Sequence, residues 1–253
     1  MKAILSFFLL LTAACASTEA QTRRALLVGV DDYTASRIPK PAPPTKAAPE
    51  RGSWKNLRGA VNDVQAMREL LIAKYSFRPN DIRVITNQEA RREAILKAIR
   101  DHLIAPARKG DEVLFFYAGH GSQVVNSFSD EPDRKDETIV PADSRLGAPD
   151  IRDKDLRRLF NQILDKEARL TVILDTCHSG SGARGLPSRA QARLVPLDPR
   201  DVKDATNAGP LPEERGALIL SASQDDELAK EAQDAAGNPH GAFTLALMEA
   251  LGR

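Results

Sequence analysis

The chain of 253 residues has few cysteines, few aromatic residues and almost no net charge. Its 36 basic and 35 acidic side chains nearly cancel, which argues against nucleic acid or an anionic membrane surface as a partner. Aromatic residues make up only 5% of the sequence and are not interleaved with basic ones, so a groove for single-stranded nucleic acid is not expected either. The composition predicts one globular α/β domain over residues 21–253.

Long hydrophobic runs are also missing, and no segment after the amino terminus is predicted to cross a membrane. The apolar run at 4–11 is too short to span a bilayer. It follows a basic start and precedes small residues, a pattern that predicts a signal peptide over residues 1–20 and export to the periplasm or the medium. The run TAAC at 12–15 approaches a lipoprotein box, so a lipid anchor at Cys15 is the alternative. Thr12 stands where leucine is usual, which favours plain secretion.

The chain has only two cysteines, Cys15 and Cys177. If Cys15 is removed or acylated during export, Cys177 has no partner for a disulfide bond. A leftover cysteine in an exported protein indicates intermolecular pairing or a reactive thiol. The alternative is a buried and inert cysteine. The position of Cys177, just after an apolar run and before polar and glycine residues, favours the reactive thiol.

Hydrophobic patterning predicts strands that alternate with amphipathic helices, and therefore a mostly parallel central sheet flanked by helices. Proline-rich and polar stretches predict two mobile loops, at about 35–55 and 183–215. No sixth strand is predicted before the chain stops. The predicted strands lie at 24–30, 82–86, 112–117, 170–174 and 217–221, and the predicted helices at 59–74, 91–103, 153–164 and 242–251.

Two of the predicted strands end in chemically reactive side chains. The run LFFYAGHGS at 114–122 carries His120 beyond its strand, and TVILDTCHSG at 171–180 carries Cys177. Chemistry in an open α/β sheet lies beyond the carboxyl ends of the strands. If the two strands are neighbours, His120 faces Cys177, which makes a cysteine nucleophile with a histidine base. A zinc site built from His120, Cys177 and His178 is disfavoured, because the spacing lacks the usual close ligand pairs.

With these motifs the chain resembles the caspase-like cysteine peptidases, in particular the metacaspases and bacterial orthocaspases. The resemblance rests on YAGHGS at 117–122 and DTCHSG at 175–180, together with DETIVPAD at 136–143 and SASQ at 221–224 in the same order. It extends from about Arg24 to Leu251. It implies a caspase-like three-layer sandwich and a cysteine-type endopeptidase that acts on proteins or peptides.

The resemblance also assigns roles to single residues. Cys177 would be the nucleophile and His120 the general base and acid, and the backbone amides of Gly121 and Cys177 would form the oxyanion hole. Asp63 and Asp175 match the acidic specificity pocket, and a carboxylate pair suits a guanidinium or ammonium group. We therefore expect cleavage after Arg or Lys. The alternatives are that Asp63 is only a first-turn helix acid and that Asp175 caps its loop.

Self-cleavage is an open expectation, because the loop at 185–214 is rich in basic residues. An enzyme specific for Arg or Lys could cut itself there, although acidic residues in the same loop also fit an ordinary solvated segment. The oligomeric state is left open by the sequence, and a catalytically weak or inactive binding module is the rival interpretation. The basic residues are Arg189, Arg193, Arg200 and Lys203, with Arg215 just beyond.

Calcium is the point at which the resemblance weakens. Many metacaspases need calcium, held by several aspartates near the active site, and hard cations require several oxygen ligands. This chain keeps Asp153 but has Lys154 where a second aspartate is expected, and Arg184 stands where another acidic ligand could lie. The acidic run at 130–136 could still bind an ion. We expect no metal or other cofactor, with calcium independence favoured over calcium dependence.

Overall fold

The computed structural model describes residues 21–34, 54–177, 192–222 and 229–252. The predicted signal peptide, with Cys15, lies outside the described residues. So do positions 35–53 of the first predicted loop and 183–191 of the second, with Arg184 and Arg189. His178 and the second half of the SASQ motif, Ser223 and Gln224, also lie outside them.

Helices and strands alternate along most of the described chain. The five predicted strands and four predicted helices are all present, with ends within a few residues of the expected ones. In chain order the elements are β1 (Arg23–Gly29), α1 (Ala60–Tyr75), β2 (Ile82–Thr86), α2 (Arg92–Ala98, extended by a π-helical turn, Ile99–Ile104), β3 (Glu112–Ala118), β4 (Gly121–Val125), β5 (Lys135–Ile139), β6 (Ile151–Arg152), α3 (Asp153–Leu164), β7 (Arg169–Asp175), β8 (Leu218–Ser221), β9 (Glu231–Gln233), β10 (Pro239–Gly241) and α4 (Ala242–Gly252).

The central sheet has five parallel strands in the order β2-β1-β3-β7-β8. Its strands are apolar on both faces, as expected where helices cover both sides of a parallel sheet. Leu26 and Val28 pack in one core with α2 and α3. Ala25 and Leu27, which point the other way, pack in a second core with α1 and α4. The result is a three-layer caspase-like α/β fold, which confirms the predicted fold class.

The sequence patterns miss two small antiparallel units. β4, β5 and β6 form a three-stranded sheet, and β9 pairs with β10 as a hairpin. These strands are only two to five residues long and mostly polar, so they lack the apolar run that identifies a buried strand. Both units flank the carboxyl end of the central sheet: β4 starts one residue after His120, and β10 leads directly into α4.

Part of the predicted mobile loop at 183–215 runs along β4. Bridges join Leu194 to Gly121 and Asp198 to Val124 in parallel orientation. The Val195 amide donates to the Gly121 carbonyl at 3.0 Å, and the Asp198 amide donates to the Gln123 carbonyl at 2.8 Å. The segment after Arg193 therefore lies against β4 like an additional irregular strand. No helix among the described residues is long and apolar enough to cross a bilayer.

Candidate active site

The two reactive strand ends lie side by side. β3 and β7 are neighbours, and the register pairs Ala118 with Asp175. His120 and Cys177 each follow two residues after that pair, so both stand at the same edge of the sheet. The Gly119 amide donates to the Asp175 carbonyl at 3.3 Å, which carries the pairing of the two segments beyond the ends of the strands.

His120 is buried and firmly oriented. Its amide donates to the Tyr33 hydroxyl at 2.8 Å, and its carbonyl accepts from the Tyr117 hydroxyl at 2.7 Å. Nε2 lies 2.8 Å from the Lys55 carbonyl. A carbonyl only accepts, so Nε2 carries the proton and Nδ1 is the free acceptor. Nδ1 is buried and has no hydrogen-bond partner among the described residues. Burial lowers the pKa of His120 to about 4, so the imidazole is neutral at neutral pH.

Cys177 is a buried thiol rather than a preformed thiolate. Its Sγ contacts both the amide and the carbonyl of Ala229. Burial raises the pKa of Cys177 to about 11, and the negative charge of Asp175 acts in the same direction. Both members of the Cys177–His120 pair are therefore uncharged at neutral pH. Attack by the sulfur on a carbonyl carbon requires that its proton be removed as the bond forms.

Gly121 lies too close to Cys177 for any side chain. A Cβ on Gly121 would lie 1.9 Å from the Cys177 carbonyl oxygen and 2.5 Å from Thr176 Oγ1. This close approach directs two backbone amides at one oxygen: the Arg193 carbonyl accepts from Gly121 at 2.9 Å and from Cys177 at 3.3 Å. Two amide donors on one carbonyl oxygen are the arrangement of an oxyanion hole.

The side chain of Arg193 enters a fully buried acidic pocket. Nη2 lies 2.6 Å from Asp63 Oδ2, and Nη1 lies 3.1 Å from Asp175 Oδ1. Glu231 Oε1 lies 3.9 Å from Nη2. All three groups of the Asp63–Arg193–Asp175 cluster are 0% exposed, so each carboxylate depends on the guanidinium for its compensation. The structure thus brings together the two acids that the sequence assigned to substrate binding, around an arginine of the same chain.

The alternative roles for the two acids can be compared with their contacts. Asp63 does lie in the first turn of α1, but its carboxylate faces Arg193 and the Gly241 amide, which donates to both of its oxygens at 3.1 and 3.0 Å. Asp175 Oδ2 accepts from the Thr244 amide at 3.1 Å and from its hydroxyl. Asp175 therefore caps the first turn of α4 rather than its own loop, while its other oxygen faces Arg193.

Sequence reasoning missed the contribution of the β9–β10 hairpin to this pocket. His240 Nδ1 lies 2.9 Å from Asp63 Oδ1, and a Cβ on Gly241 would lie 2.1 Å from Asp175 Oδ2. Glu231 Oε1 accepts from the amides of Arg58 and Gly59 at 2.9 and 2.7 Å, which holds the start of α1 against the hairpin. The only signal was the run NPHG at 238–241, which reads as an ordinary turn.

The electrostatic balance of the pocket depends on burial. Burial raises the pKa of Asp63 to about 6, although the positive charge of Arg193 lowers it and the negative charge of Asp175 raises it further. Burial disfavours the charge on Arg193, but Asp175 and Asp63 outweigh it and hold the pKa of the guanidinium above its usual value. The pocket is therefore suited to a permanent cation.

The backbone around Arg193 is paired on both sides of its carbonyl. The Arg193 amide donates to the Ala229 carbonyl at 3.0 Å, and Ala192 bridges Lys230 in antiparallel orientation. On the other side, Leu194 and Val195 pair with Gly121. An extended segment therefore crosses the site. The carbonyl of Arg193 accepts from two amides while the side chain of the same residue lies in the pocket, and a peptide is presented for acyl transfer in this way.

The residues near the acidic run do not fit a calcium ion. Asp130, Glu131 and Asp133 are exposed, while the buried carboxylate of Asp136 is bound to the ammonium of Lys154 at 2.6 Å. Within the part of the chain that the structure describes, no three His, Cys, Asp or Glu side chains converge as a metal site would require. A cation of the chain itself holds the oxygen that calcium would need.

A parallel sheet with a histidine and a cysteine at adjacent strand ends is the arrangement expected of a caspase-like protein. Residues 23–184 match the family described as metacaspase, peptidase C14 domain. The chain belongs to this family, which confirms the resemblance inferred from its motifs.

Known relatives agree with this assignment. The chain is 35% identical over 155 residues to metacaspase-1 of Schizosaccharomyces pombe, over 59% of this chain and 36% of the relative. It is 38% identical over 146 residues to metacaspase-9 of Arabidopsis thaliana, over 55% and 42%. The matched region thus spans less than half the length of these relatives. A crystal structure of a protein from Geobacter sulfurreducens shares the fold, with a TM-score of 0.62 and 22% identity over 91% of this chain and 82% of that one.

Proposed function

We propose that the protein is a cysteine endopeptidase that cleaves proteins or peptides after Arg or Lys, with Cys177 as nucleophile and His120 as general base. One observation carries this proposal: Arg193 has its guanidinium between Asp63 and Asp175 while its carbonyl accepts from the amides of Gly121 and Cys177. A side chain in a charged pocket and a carbonyl in a pair of donors beside a thiol are the two requirements for cleavage after that residue.

The charge of the pocket supports the specificity. A guanidinium can face two carboxylates at once, and an ammonium can be accommodated as a point charge. An aspartate side chain in the same place would add a third buried negative charge, which is strongly unfavourable. We therefore expect Arg and Lys to be accepted before the scissile bond, and Asp to be rejected.

The proposed reaction is acyl transfer. His120 Nδ1 takes the thiol proton while Cys177 Sγ bonds to the carbonyl carbon, and the Gly121 and Cys177 amides stabilise the oxygen as it becomes negative. The carbon–nitrogen bond then breaks, and the proton passes from His120 to the leaving amine. Water, deprotonated by His120, hydrolyses the thioester, which releases the carboxylate product and restores the thiol.

Self-processing follows from the same geometry, and we propose the Arg193–Leu194 bond as the site. Until it is cut, Arg193 fills the pocket, so the intact chain is inhibited by its own segment. Two other basic candidates are held elsewhere: Arg200 by Asp198 and the Gly147 carbonyl, and Arg215 by Asn161 and Asp165.

The experiment compares wild type with Cys177→Ala, both starting at residue 21. Each protein is incubated with fluorogenic peptides that end in Arg, Lys or Asp, with calcium or with a chelator, and its fragments are identified by mass spectrometry. Turnover of Arg and Lys peptides by wild type alone, with a new amino terminus at Leu194, is expected. Preference for Asp would rule out the proposed pocket. A folded wild type that cleaves no peptide would favour the alternative of a caspase-like binding module.

The export of the protein from the cytoplasm is a separate proposal. The pattern of residues 1–20 supports export to the periplasm or the medium, with a lipid anchor at Cys15 as the alternative. Cell fractionation of the full chain, compared with a Cys15→Ala variant, distinguishes the two, because only an acylated chain would depend on Cys15 for membrane association.

A further inference from the structure

Asp136, on β5, is a carboxylate that is completely buried and surrounded by donors of its own chain. Its Oδ1 lies 2.6 Å from Lys154 Nζ, and its Oδ2 lies 3.1 Å from Arg152 Nη1 and 2.9 Å from Asn126 Nδ2. The ammonium of Lys154 also donates to Ser129 Oγ at 2.6 Å. A buried carboxylate of this kind is stable only while its cations stay in place.

The charges around Asp136 balance without any added ion. Arg152 Nη2 lies 2.9 Å from Asp155 Oδ1 and 2.7 Å from Asp204 Oδ2. Arg158 reaches the same two oxygens, with Nη1 3.0 Å from Asp155 and Nη2 3.1 Å from Asp204. Lys154 faces Asp136, and Arg92 Nη2 lies 3.7 Å from Asp155 Oδ2, so no carboxylate of this group lacks a cation. A divalent cation would have to displace an ammonium or guanidinium group to find oxygen ligands here.

Asp153, next to Lys154, nevertheless has a carboxylate oxygen without a hydrogen-bond donor among the described residues. This oxygen, Oδ1, is buried, while Oδ2 lies 3.4 Å from Arg157 Nη2. The carboxylate lies within range of the charges of Asp136, Lys154 and Arg157. An acceptor of this kind would gain from a nearby cation if the ammonium of Lys154 were removed.

The cluster also connects the elements that form the active-site cleft. Asp136 pairs with Val124 in the β4–β5 ladder, and β4 begins at Gly121. Asp204 follows the segment that runs from Arg193 along β4. The ion pairs of Lys154, Arg152 and Arg158 therefore fix both β4 and this segment.

We propose that Lys154 is a built-in cation that replaces a divalent metal ion, and that its ammonium closes a latent calcium site whose ligands include Asp136 and Asp153. The chain then assembles its cleft without metal. This proposal does not depend on peptidase activity, because it concerns stability and ion binding alone.

The test uses the full chain with Cys177→Ala, which prevents self-cleavage during the measurement. Melting temperatures are compared in excess calcium chloride and in EGTA. The parent is expected to melt within about 1 °C in both, since a ligand that does not bind adds no stability. Lys154→Asp is expected to melt at least about 5 °C lower in EGTA and to recover at least half of that loss in calcium. The control is Lys109→Asp, which changes an exposed lysine and should not respond to calcium.

Two results would overturn the proposal. One is a parent protein that calcium stabilises, because the site would then still use a metal. The other is a Lys154→Asp variant that melts at the same temperature with calcium and with EGTA. If that variant does not fold, Lys154→Gln removes only the charge. It should melt below the parent in EGTA and bind calcium in a calorimetric titration, and absence of binding would equally contradict the proposal.

Discussion

The carbonyl oxygen of Arg193 lies 2.9 Å from the amide nitrogen of Gly121, at the edge where β3 and β7 end. This contact distinguishes a presented peptide bond from a simple buried ion pair. The guanidinium alone could be a structural cation for Asp63 and Asp175. The carbonyl adds the second anchor, and the proposed cleavage after Arg193 requires both anchors.

Gly121→Ala should slow both self-cleavage and peptide turnover by at least about 100-fold. The new Cβ would collide with the Cys177 carbonyl, so β4 must move and its amide no longer points at the substrate oxygen. Loss of one such donor costs about 100- to 1,000-fold in rate. Initial rates with an Arg peptide measure the effect, and Gly252→Ala, where a Cβ meets open space, is the matched control. Activity within about threefold of wild type would contradict the assignment of this amide to the oxyanion hole.

Arg193→Gln, in a Cys177→Ala background, should remove the cation from the pocket and destabilise the protein. Removing the cation leaves Asp63 and Asp175 buried without compensation, a loss of about 3–5 kcal/mol in the free energy of unfolding. Added argininamide should then raise the melting temperature of Arg193→Gln but not of the parent, whose pocket is filled. Arg100→Gln, on an exposed part of the π-helical turn, serves as control. An equal response of parent and variant to argininamide would show that the ligand binds elsewhere.

The rate with Arg peptides should fall as the pH drops through about 6. Asp63 has a raised pKa, so it takes up a proton in mild acid and the pocket loses a negative charge. His120 has a lowered pKa, so it stays neutral well below pH 6 and does not cause this loss. The pH profile of kcat/KM measures it, and Asp63→Asn should lack the acidic limb at a lower overall rate. An acidic limb that survives in Asp63→Asn would assign it to another group.

Tyr33→Phe should slow turnover by disturbing the backbone of His120. The Tyr33 hydroxyl accepts from the His120 amide at 2.8 Å, and its removal leaves a buried amide without a partner. The expected loss is about 1–3 kcal/mol in the free energy of unfolding, with a lower kcat and a nearly unchanged KM, since the pocket is untouched. Tyr75→Phe changes a tyrosine that is 39% exposed and provides the control. A change in KM alone would argue against this role.

Apolar patterning was sufficient for the central sheet and its helices, because buried parallel strands are continuous hydrophobic runs. It could not find β4, β5 and β6, or the β9–β10 hairpin, because these strands are short and mostly polar. Apolar side chains that they do bury, such as Ile139 and Ile151, stand singly in their strands and form no apolar run. The same limit applies to the pocket. His240 lies 177 residues from Asp63 along the chain, and no local spacing connects them.

Arg193 was one of five basic candidates that the sequence could not rank. What singles it out is its register against Gly121 and Ala229, which depends on strands that the patterns did not reveal. Lys154 is different: its departure from the expected aspartate was visible in the sequence, but its contact with Asp136 required the β4–β5 sheet to be in place. Chemistry-bearing residues at strand ends could be predicted, and contacts across small polar sheets could not.

The pairing of β7 with β8 crosses the bond that we expect to be cut. Thr171, Val172, Ile173 and Leu174 pair with Leu218, Ile219, Leu220 and Ser221, which belong to the other side of Arg193. The pocket is divided in the same way, since Asp63 and Asp175 precede the bond while Glu231 and His240 follow it. Cleavage would therefore turn one polypeptide into a two-chain particle whose halves share a sheet and a specificity site. Neither half would carry a complete core by itself. The active two-chain protein would therefore be obtained by producing both halves together or by cutting the chain after it has folded.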